Sequence, residues 1–412
     1  MTGPRAALMR ALLPLVPWIM LAVTLWRWLL RREPAVALAE RMGHLPLPVG
    51  PAIWLHGASN GELASARWVL EAVLAARPGL VALVTTNTAT ARAMVQAWAL
   101  PGVTAAFAPL DLDGPLRRVL KRWQPLALIT VEGEIYPRRF ALCAGRPIAL
   151  IGARMSEQSF RAWRDLQPVM ARALARVTLC SAQDEASSRR LRDLGLPAAV
   201  LSAPCDLKAV AIARLPVLEP SATPRSRWLL AASTHAGEEE IVLQAFAAAR
   251  DRFDHLILAP RHPRRADAVA ALIRAAGFQP RLRSTGALPE VSEVFLADTM
   301  GEMDLWYARC GTCLVGGSLV PRGGHTPWEP ARFGCAILHG PFVENFAGPY
   351  AALAAAGGAV ALVGPDALGP TLRTLAPLRQ QALGQAAAQT LHDDAGDVSF
   401  LHNILMLLPF DA

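Results

Sequence analysis

Twice along this chain, short apolar runs alternate with segments of helical period, and a stretch with neither pattern separates the two series. That rhythm constrains the fold more than any other feature. Strands joined by helices lie parallel, and a parallel sheet needs helices on both faces. In the first series Ile53–His56, Leu80–Thr85, Leu126–Val131, Ile148–Ile151, Val177–Cys180 and Ala198–Leu201 read as strands. Glu62–Ala76, Ala89–Trp98, Pro115–Trp123, Arg161–Arg176 and Asp184–Leu194 read as helices between them. From Ala209 to Arg227 the rhythm lapses under Pro216, Pro220 and Pro224. It restarts with strands Trp228–Ala231, His255–Ala259, Val291–Leu296, Thr312–Val315, Ala336–Leu338 and Ala359–Val363, and helices Glu238–Arg250 and Arg264–Ala276. The expectation is an α/β protein of two similar halves with a cleft between them. The boundaries are 33–208 for the first domain, 209–227 for a linker and 228–395 for the second domain. A terminal helix over 396–412 packs back on the first domain.

The N-terminus has another character. No charge occurs from Ala11 to Trp26, while Arg5 and Arg10 precede this run and Arg27, Arg31 and Arg32 follow it. As a helix the run covers roughly 24 Å, against about 30 Å of bilayer core. Snorkelling by Arg27 lengthens it, and Pro14 and Pro17 kink it. Residues 1–32 therefore read as a membrane anchor, spanning or interfacial, with the rest on the cytoplasmic side; a helix buried on the domain surface is the alternative. The net charge of +8 calls for an acidic partner, either anionic lipid or a phosphorylated substrate. Nothing resembles a basic nucleic-acid motif with interleaved aromatics, so nucleic acid is not expected. The six cysteines include one CxxC pair, Cys310 and Cys313, without a second pair to complete a zinc site. They read as core thiols.

The chemistry-bearing stretches all follow strands. In WLHGASNGE, Trp54 to Glu62, a small-residue turn places one carboxylate at a strand-to-helix junction. Such a group can take a proton from a substrate hydroxyl. VEGEIYP adds Glu132 and Glu134, which share a side if the strand continues through them. STHAGEEE offers Ser233 and Thr234 beside a helix start, a place suited to an anion. APRHPRR puts Arg261 at the end of another strand, where a guanidinium can grip a phosphate. GGSLVPRGGHTPWEP, Gly316 to Pro330, lets backbone approach a ligand closely and ends in Glu329, suited to ribose hydroxyls. DTMGEM, Asp298 to Met303, supplies a further turn. Asp111 to Asp113 has Asp-x-Asp spacing but precedes a basic helix, so it reads as that helix's N-cap and not as a metal site.

This ordered set, with GARMSEQS, Asp206-Leu207-Lys208 and GPFVENF, resembles the Kdo transferases of lipopolysaccharide synthesis. Those enzymes move 3-deoxy-D-manno-octulosonic acid (Kdo) from CMP-Kdo onto a lipid A precursor. The resemblance implies a GT-B fold, two Rossmann-like domains, with the acceptor on the first and the CMP-sugar on the second. It implies Glu62 as general base, with Glu132 and Lys208 stabilising the transition state. Pro260, Arg261, Met300, Gly301, Glu302, Gly324, His325, Thr326, Pro327, Trp328 and Glu329 fall on its CMP-binding segments, and Ser233, Thr234 and Asn345 join that set. It implies an inverting reaction at the cytoplasmic face of the inner membrane, with no metal and no cofactor beyond the donor. Thr326 stands where the family usually has Asn, and Trp328 where it has Leu. A GT-B enzyme using a UDP-sugar, or an inactive membrane scaffold, is the alternative.

Overall fold

The computed structural model describes residues 16–30, 34–218, 224–396 and 398–408. Arg5, Arg10, Pro14, Arg31 and Arg32 of the expected anchor, and Pro220 of the expected linker, lie outside the described residues. The chain divides into two compact units, one of residues 1–211 and 395–412, the other of residues 212–394.

The first unit carries one parallel sheet of β1 (Ala52–His56), β2 (Val81–Thr86), β3 (Val103–Phe107), β4 (Leu128–Val131), β5 (Ile148–Ala153) and β6 (Leu179–Ala182). Its order is β3-β2-β1-β4-β5-β6. The chain winds outward from β1 through β2 and β3, then returns to build β4 to β6 on the other side. This is the doubly wound arrangement, whose ligands bind where the order reverses, here between β1 and β4. β1 and β2 are buried along their whole length, as a sheet covered on both faces requires.

The structure corrects the sequence reading at several places. Ala198–Val200 is a 3₁₀ turn after Pro197, and Leu201 keeps only an isolated bridge to Cys180. Arg161–Arg176 divides into the helices Glu157–Arg164 and Gln167–Leu174, because Pro168 starts a new helix more readily than it continues one. The edge strand β3 has no counterpart in the sequence reading; three of its five residues are only half-buried, so its apolar run is weak.

The second unit holds β7 (Trp228–Thr234), β8 (His255–Pro260), β9 (Arg281–Leu282), β10 (Val294–Leu296), β11 (Thr312–Val315), β12 (Ala336–His339) and β13 (Ala359–Ala361). All pairings are parallel, in the order β13-β12-β11-β7-β8-β10-β9. The reversal here falls between β7 and β11. The helix Leu207–Ala213 occupies the start of the expected linker.

The last helix, Ser399–Leu407, belongs to the first unit. Phe400 and Ile404 enter that unit's core, and the Phe400 ring meets Trp68 edge-on at 5.9 Å. At the N-terminus the helix Val16–Leu29 leaves Trp18, Ile19, Val23, Leu25, Trp26 and Trp28 exposed. No helix among the described residues is long and apolar enough to cross a membrane.

Candidate active site

β1 ends at His56, and Gly57 turns the chain toward the helix Asn60–Ala76. A Cβ on Gly57 would stand 2.9 Å from the buried Leu63 side chain, which would have to shift to admit one. Ser59 caps the helix, its Oγ accepting from the Glu62 backbone N–H at 3.4 Å. The Glu62 carboxylate reaches back, accepting from the Ala58 N–H at 2.8 Å and the Ser59 hydroxyl at 2.9 Å. This departs from the usual capping box, since the acid accepts from the N–H one residue before the cap and from the cap's own hydroxyl. Burial pushes the Glu62 carboxyl up to about 7; the two hydrogen bonds oppose it, and Glu134 and Glu132 add repulsion. Among the described residues no cation pairs with Glu62.

Glu132 and Glu134 lie beyond β4, in the turn that follows it, and they take different partners. Glu132 adopts a left-handed backbone, φ +53°, rare for a residue with a side chain. Its Oε1 meets Lys208 Nζ at 2.7 Å. Lys208 stands in the first turn of Leu207–Ala213, where Asp206 Oδ1 accepts from the Lys208 N–H at 2.8 Å. Glu134 Oε2 accepts from the Tyr136 hydroxyl at 2.7 Å and lies 3.2 Å from His56 Nε2. His56 is fully buried; burial first, then Arg139, push its pKa down to about 4, so the ring is neutral near pH 7. A carboxylate can only accept, so Nε2 carries the proton and Nδ1 accepts from the Thr85 hydroxyl at 3.0 Å. Trp54 Nε1 donates to that same Thr85 oxygen at 2.8 Å, and Asn87 donates to Tyr136 at 3.2 Å. Burial pushes Glu134 up, but these bonds and Arg139 outweigh it and hold the carboxyl below the usual range. The network ties together the ends of β1, β2 and β4. Of the expected residues, the first unit therefore gathers Glu62, Glu132 and Lys208 around the β1/β4 reversal. The sequence offered no sign that His56, Thr85 and Asn87 join them, because a buried polar network has no periodic signature.

In the second unit β7 and β11 approach so closely that a Cβ on Gly316 would lie 2.5 Å from the Ser233 carbonyl. Ser233 itself is left-handed, φ +55°. The expected anion site beside Ser233 and Thr234 is filled by the chain's own acids. Glu238, fully buried, accepts from the backbone N–H groups of His235 (2.9 Å), Gly317 (2.7 Å), Ser318 (3.1 Å) and Leu319 (2.9 Å). Glu239 pairs with Arg265 at 2.6 Å and accepts from the Thr234 hydroxyl at 2.9 Å. Thr234 is buried and its proton is spent.

The groups left open lie around this nest. Arg261, just past β8, is exposed and forms no ion pair among the described residues; its backbone N–H donates to the Thr234 carbonyl at 3.0 Å. His325 Nε2 lies 2.9 Å from His235 Nε2, with the rings nearly coplanar. Burial, then His235, Arg261 and His262, lower His325 to about 4, and burial lowers His235 as well. Both rings are neutral near pH 7, and one donates to the other. Glu329 accepts from the Tyr307 hydroxyl at 3.1 Å, and burial raises its pKa.

Several of the expected donor-binding residues make contacts within the chain. Trp328 is 1% exposed and packs in the interior. Pro260, Gly324 and Pro327 are buried too. Thr326 Oγ1 accepts from the Trp328 N–H at 3.3 Å. The Glu302 carboxylate is held by Arg283 at 2.7 Å and by Thr299. Met300 is 70% exposed, and Gly301 turns through φ +83°. Asn345 donates to the Arg322 carbonyl at 3.1 Å and so clamps the glycine loop. Asp111 does not cap its own helix: it accepts from the N–H groups of Arg138 and Arg139 and caps Pro137–Leu142, while Asp113 pairs with Arg138. All six cysteines are buried and unbridged, and no cluster among the described residues is arranged to hold a metal ion.

Residues 36–211 match the family model of 3-deoxy-D-manno-octulosonic-acid transferase (kdotransferase). The 3-deoxy-D-manno-octulosonic acid transferase of Bordetella pertussis is 34% identical over 399 residues, covering 89% of this chain and 92% of that one. The enzyme of that name from Haemophilus influenzae is 31% identical over 385 residues, covering 89% of this chain and 90% of the relative. Among solved structures, UDP-GlcNAc 2-epimerase from Neisseria meningitidis superposes with a TM-score of 0.56 over 86% of this chain and 99% of its own. At 12% identity that likeness is one of fold, the two-unit GT-B class.

Proposed function

This chain belongs to the 3-deoxy-D-manno-octulosonic acid transferase family, and we propose that Glu62 is the base of its Kdo transfer reaction. The protein is a glycosyltransferase of lipopolysaccharide synthesis. Its donor in our reading is CMP-Kdo, held by the second unit, and its acceptor is the lipid A precursor, held by the first. An acceptor hydroxyl is a poor nucleophile, so its proton must leave as the new bond forms. The Glu62 carboxylate, tuned to about 7 and without a cation to quench it, suits that task and carries the assignment. Lys208, which pairs with Glu132 at 2.7 Å, is the cation of the first unit that we assign to transition-state stabilisation. Arg261 is the exposed cation we assign to the phosphate of departing CMP. Attack from the face opposite CMP inverts the anomeric carbon, and no metal or further cofactor enters this reading.

We place the protein on the cytoplasmic face of the inner membrane, attached through its N-terminal helix. Exposed Trp18, Trp26 and Trp28 support this, since such rings favour the bilayer interface. The test is to mix intact protein with CMP-Kdo and tetra-acylated lipid A precursor and to weigh the products by mass spectrometry. We expect added Kdo, and a loss of roughly 10²–10⁴-fold in rate in Glu62→Gln. Unaltered turnover in that variant would remove Glu62 from the reaction. Thermal stabilisation by UDP and not by CMP would point to another donor.

A further inference from the structure

The second unit joins two histidines that lie far apart in the sequence. His235, from the turn after β7, and His325, from the glycine loop after β11, meet through their Nε2 atoms at 2.9 Å. The rings lie 5° from parallel, with centroids 5.2 Å apart. One ring radius at either end accounts for the difference between those two distances, so both nitrogens lie on the line joining the ring centres. That is the geometry of a straight N–H···N bond. Two imidazoles sharing a metal ion would instead point their lone pairs at it from an angle. Gly317 lies against the bond: a Cβ there would stand 3.3 Å from Cδ2 of His325 and 3.4 Å from Cδ2 of His235. The Tyr350 hydroxyl donates to the His325 carbonyl at 3.1 Å and holds that backbone.

A straight bond leaves each ring one further nitrogen. Neither Nδ1 has a partner among the described residues, and both side chains are only half-buried. In the neutral pair two of the four ring nitrogens carry protons. The donor ring's Nδ1 is bare; a third proton there makes the bond to its neighbour charge-assisted. Burial is the largest force against that charge on either ring. The surroundings then divide the two. Glu238 and Glu239 favour a proton on His235, while Arg322 and His262 oppose it. His325 faces opposition alone, from His235, Arg261 and His262. The third proton therefore belongs on His235. The two acids are already engaged, Glu238 by four backbone N–H groups and Glu239 by Arg265. Arg261, Arg322 and His262 are exposed and form no ion pair among the described residues. What this cluster lacks is an anion.

We infer that the His235–His325 pair is a proton acceptor coupled to the donor site: when a nucleotide's phosphate settles against Arg261, His235 takes a proton at Nδ1, and His325 supports the new charge through their common bond. For the phosphate's place this rests on the donor reading above. In the transfer reaction the donor's phosphate is a diester with one negative charge. When its bond to the sugar breaks, the electron pair stays on the phosphate oxygen and CMP becomes a dianion. The acceptor's proton goes to Glu62, and the proton on His235 comes from solvent. The pair thus gains positive charge as the leaving group gains negative charge.

The test is titration calorimetry of CMP into the full-length chain at pH 7, repeated in buffers of different ionisation enthalpy to count protons. Free CMP is mostly a dianion there, since the second phosphate pKa is about 6. We expect an uptake of about half a proton per CMP, and an affinity about twofold weaker at pH 8 than at pH 7. Cytidine, which has no phosphate, should take up none; equal uptake with cytidine overturns the proposal. His235→Gln should end the uptake and flatten the pH dependence. His325→Leu, which removes the bond's acceptor, should at least halve the uptake. A purely structural role would weaken CMP in both variants and leave the proton count as it was, which also overturns the proposal. Ring-nitrogen NMR gives a readout on the wild-type chain: CMP should bring one histidine to the imidazolium pattern, and its absence counts against the pair. CMP binding without proton uptake overturns the proposal and leaves the donor reading standing. UMP binding with uptake, in a chain indifferent to CMP, keeps the pair and removes CMP as the donor. A chain that binds neither nucleotide removes both.

Discussion

Glu62 serves the fold and the reaction with the same two oxygens. As a first-turn acid it satisfies the Ala58 N–H, yet burial beside Glu132 and Glu134 makes its ionised form expensive. The proton is bound more tightly in the folded chain than in the unfolded one. The resulting destabilisation is absent below the ordinary glutamate range near 4.5, grows as pH rises toward about 7, and is constant above it. Glu62→Gln therefore raises the thermal midpoint by a few degrees at pH 8, and the gain shrinks toward pH 5; a scan of melting temperature against pH checks this. Activity has the opposite demand, since the base must be ionised. The wild-type rate should fall about tenfold per unit below pH 7, and a profile flat down to pH 5 would mean that another group takes the proton.

Among elements, the strand-to-helix turns at the two reversal points do most of the organising, and the two units solve the same problem differently. The first unit leaves its reversal-point acid, Glu62, half-exposed. The second spends Glu238 on four backbone N–H groups, which pins the start of the β11 loop to the turn after β7. Removing that carboxylate strands buried donors. Glu238→Ala should cost about 3–5 kcal/mol in chemical denaturation and weaken CMP binding, although the side chain touches no ligand in our reading. An unchanged denaturation midpoint would show that the loop holds itself. In the sequence Glu238 reads as an ordinary first-turn acid, because three of the four N–H groups it serves lie about eighty residues away in GGSL.

At the scale of the whole molecule, each unit has its own sheet and core, and the chain returns to the first unit at its end. Phe400 is fully buried there beside Trp68. Phe400→Ala should cost about 3–5 kcal/mol, and calorimetry should show the loss in one unfolding transition only. CMP at saturating concentration should raise the other transition, since a ligand stabilises the unit that binds it. A single transition that moves equally in both experiments would mean that the units unfold as one.

The doubly wound class was legible because a parallel strand buried on both faces must be apolar along most of its length, as residues 52–55 and 81–84 are before each strand ends in polar groups, and the helices between must be amphipathic. The places of Glu62 and Glu132 were legible because strand ends in such sheets are where polar groups converge, and that of Lys208 only through the family resemblance. Tertiary structure alone decided which of those groups are free to act. The Thr234 hydroxyl is consumed by Glu239, the Glu302 carboxylate by Arg283 and the Trp328 ring by the core, whereas Arg139, unremarkable in the sequence, is buried with idle donors. Local pattern records which face of an element is apolar; whether a polar group finds a partner depends on residues far along the chain, which only folding brings within hydrogen-bond reach.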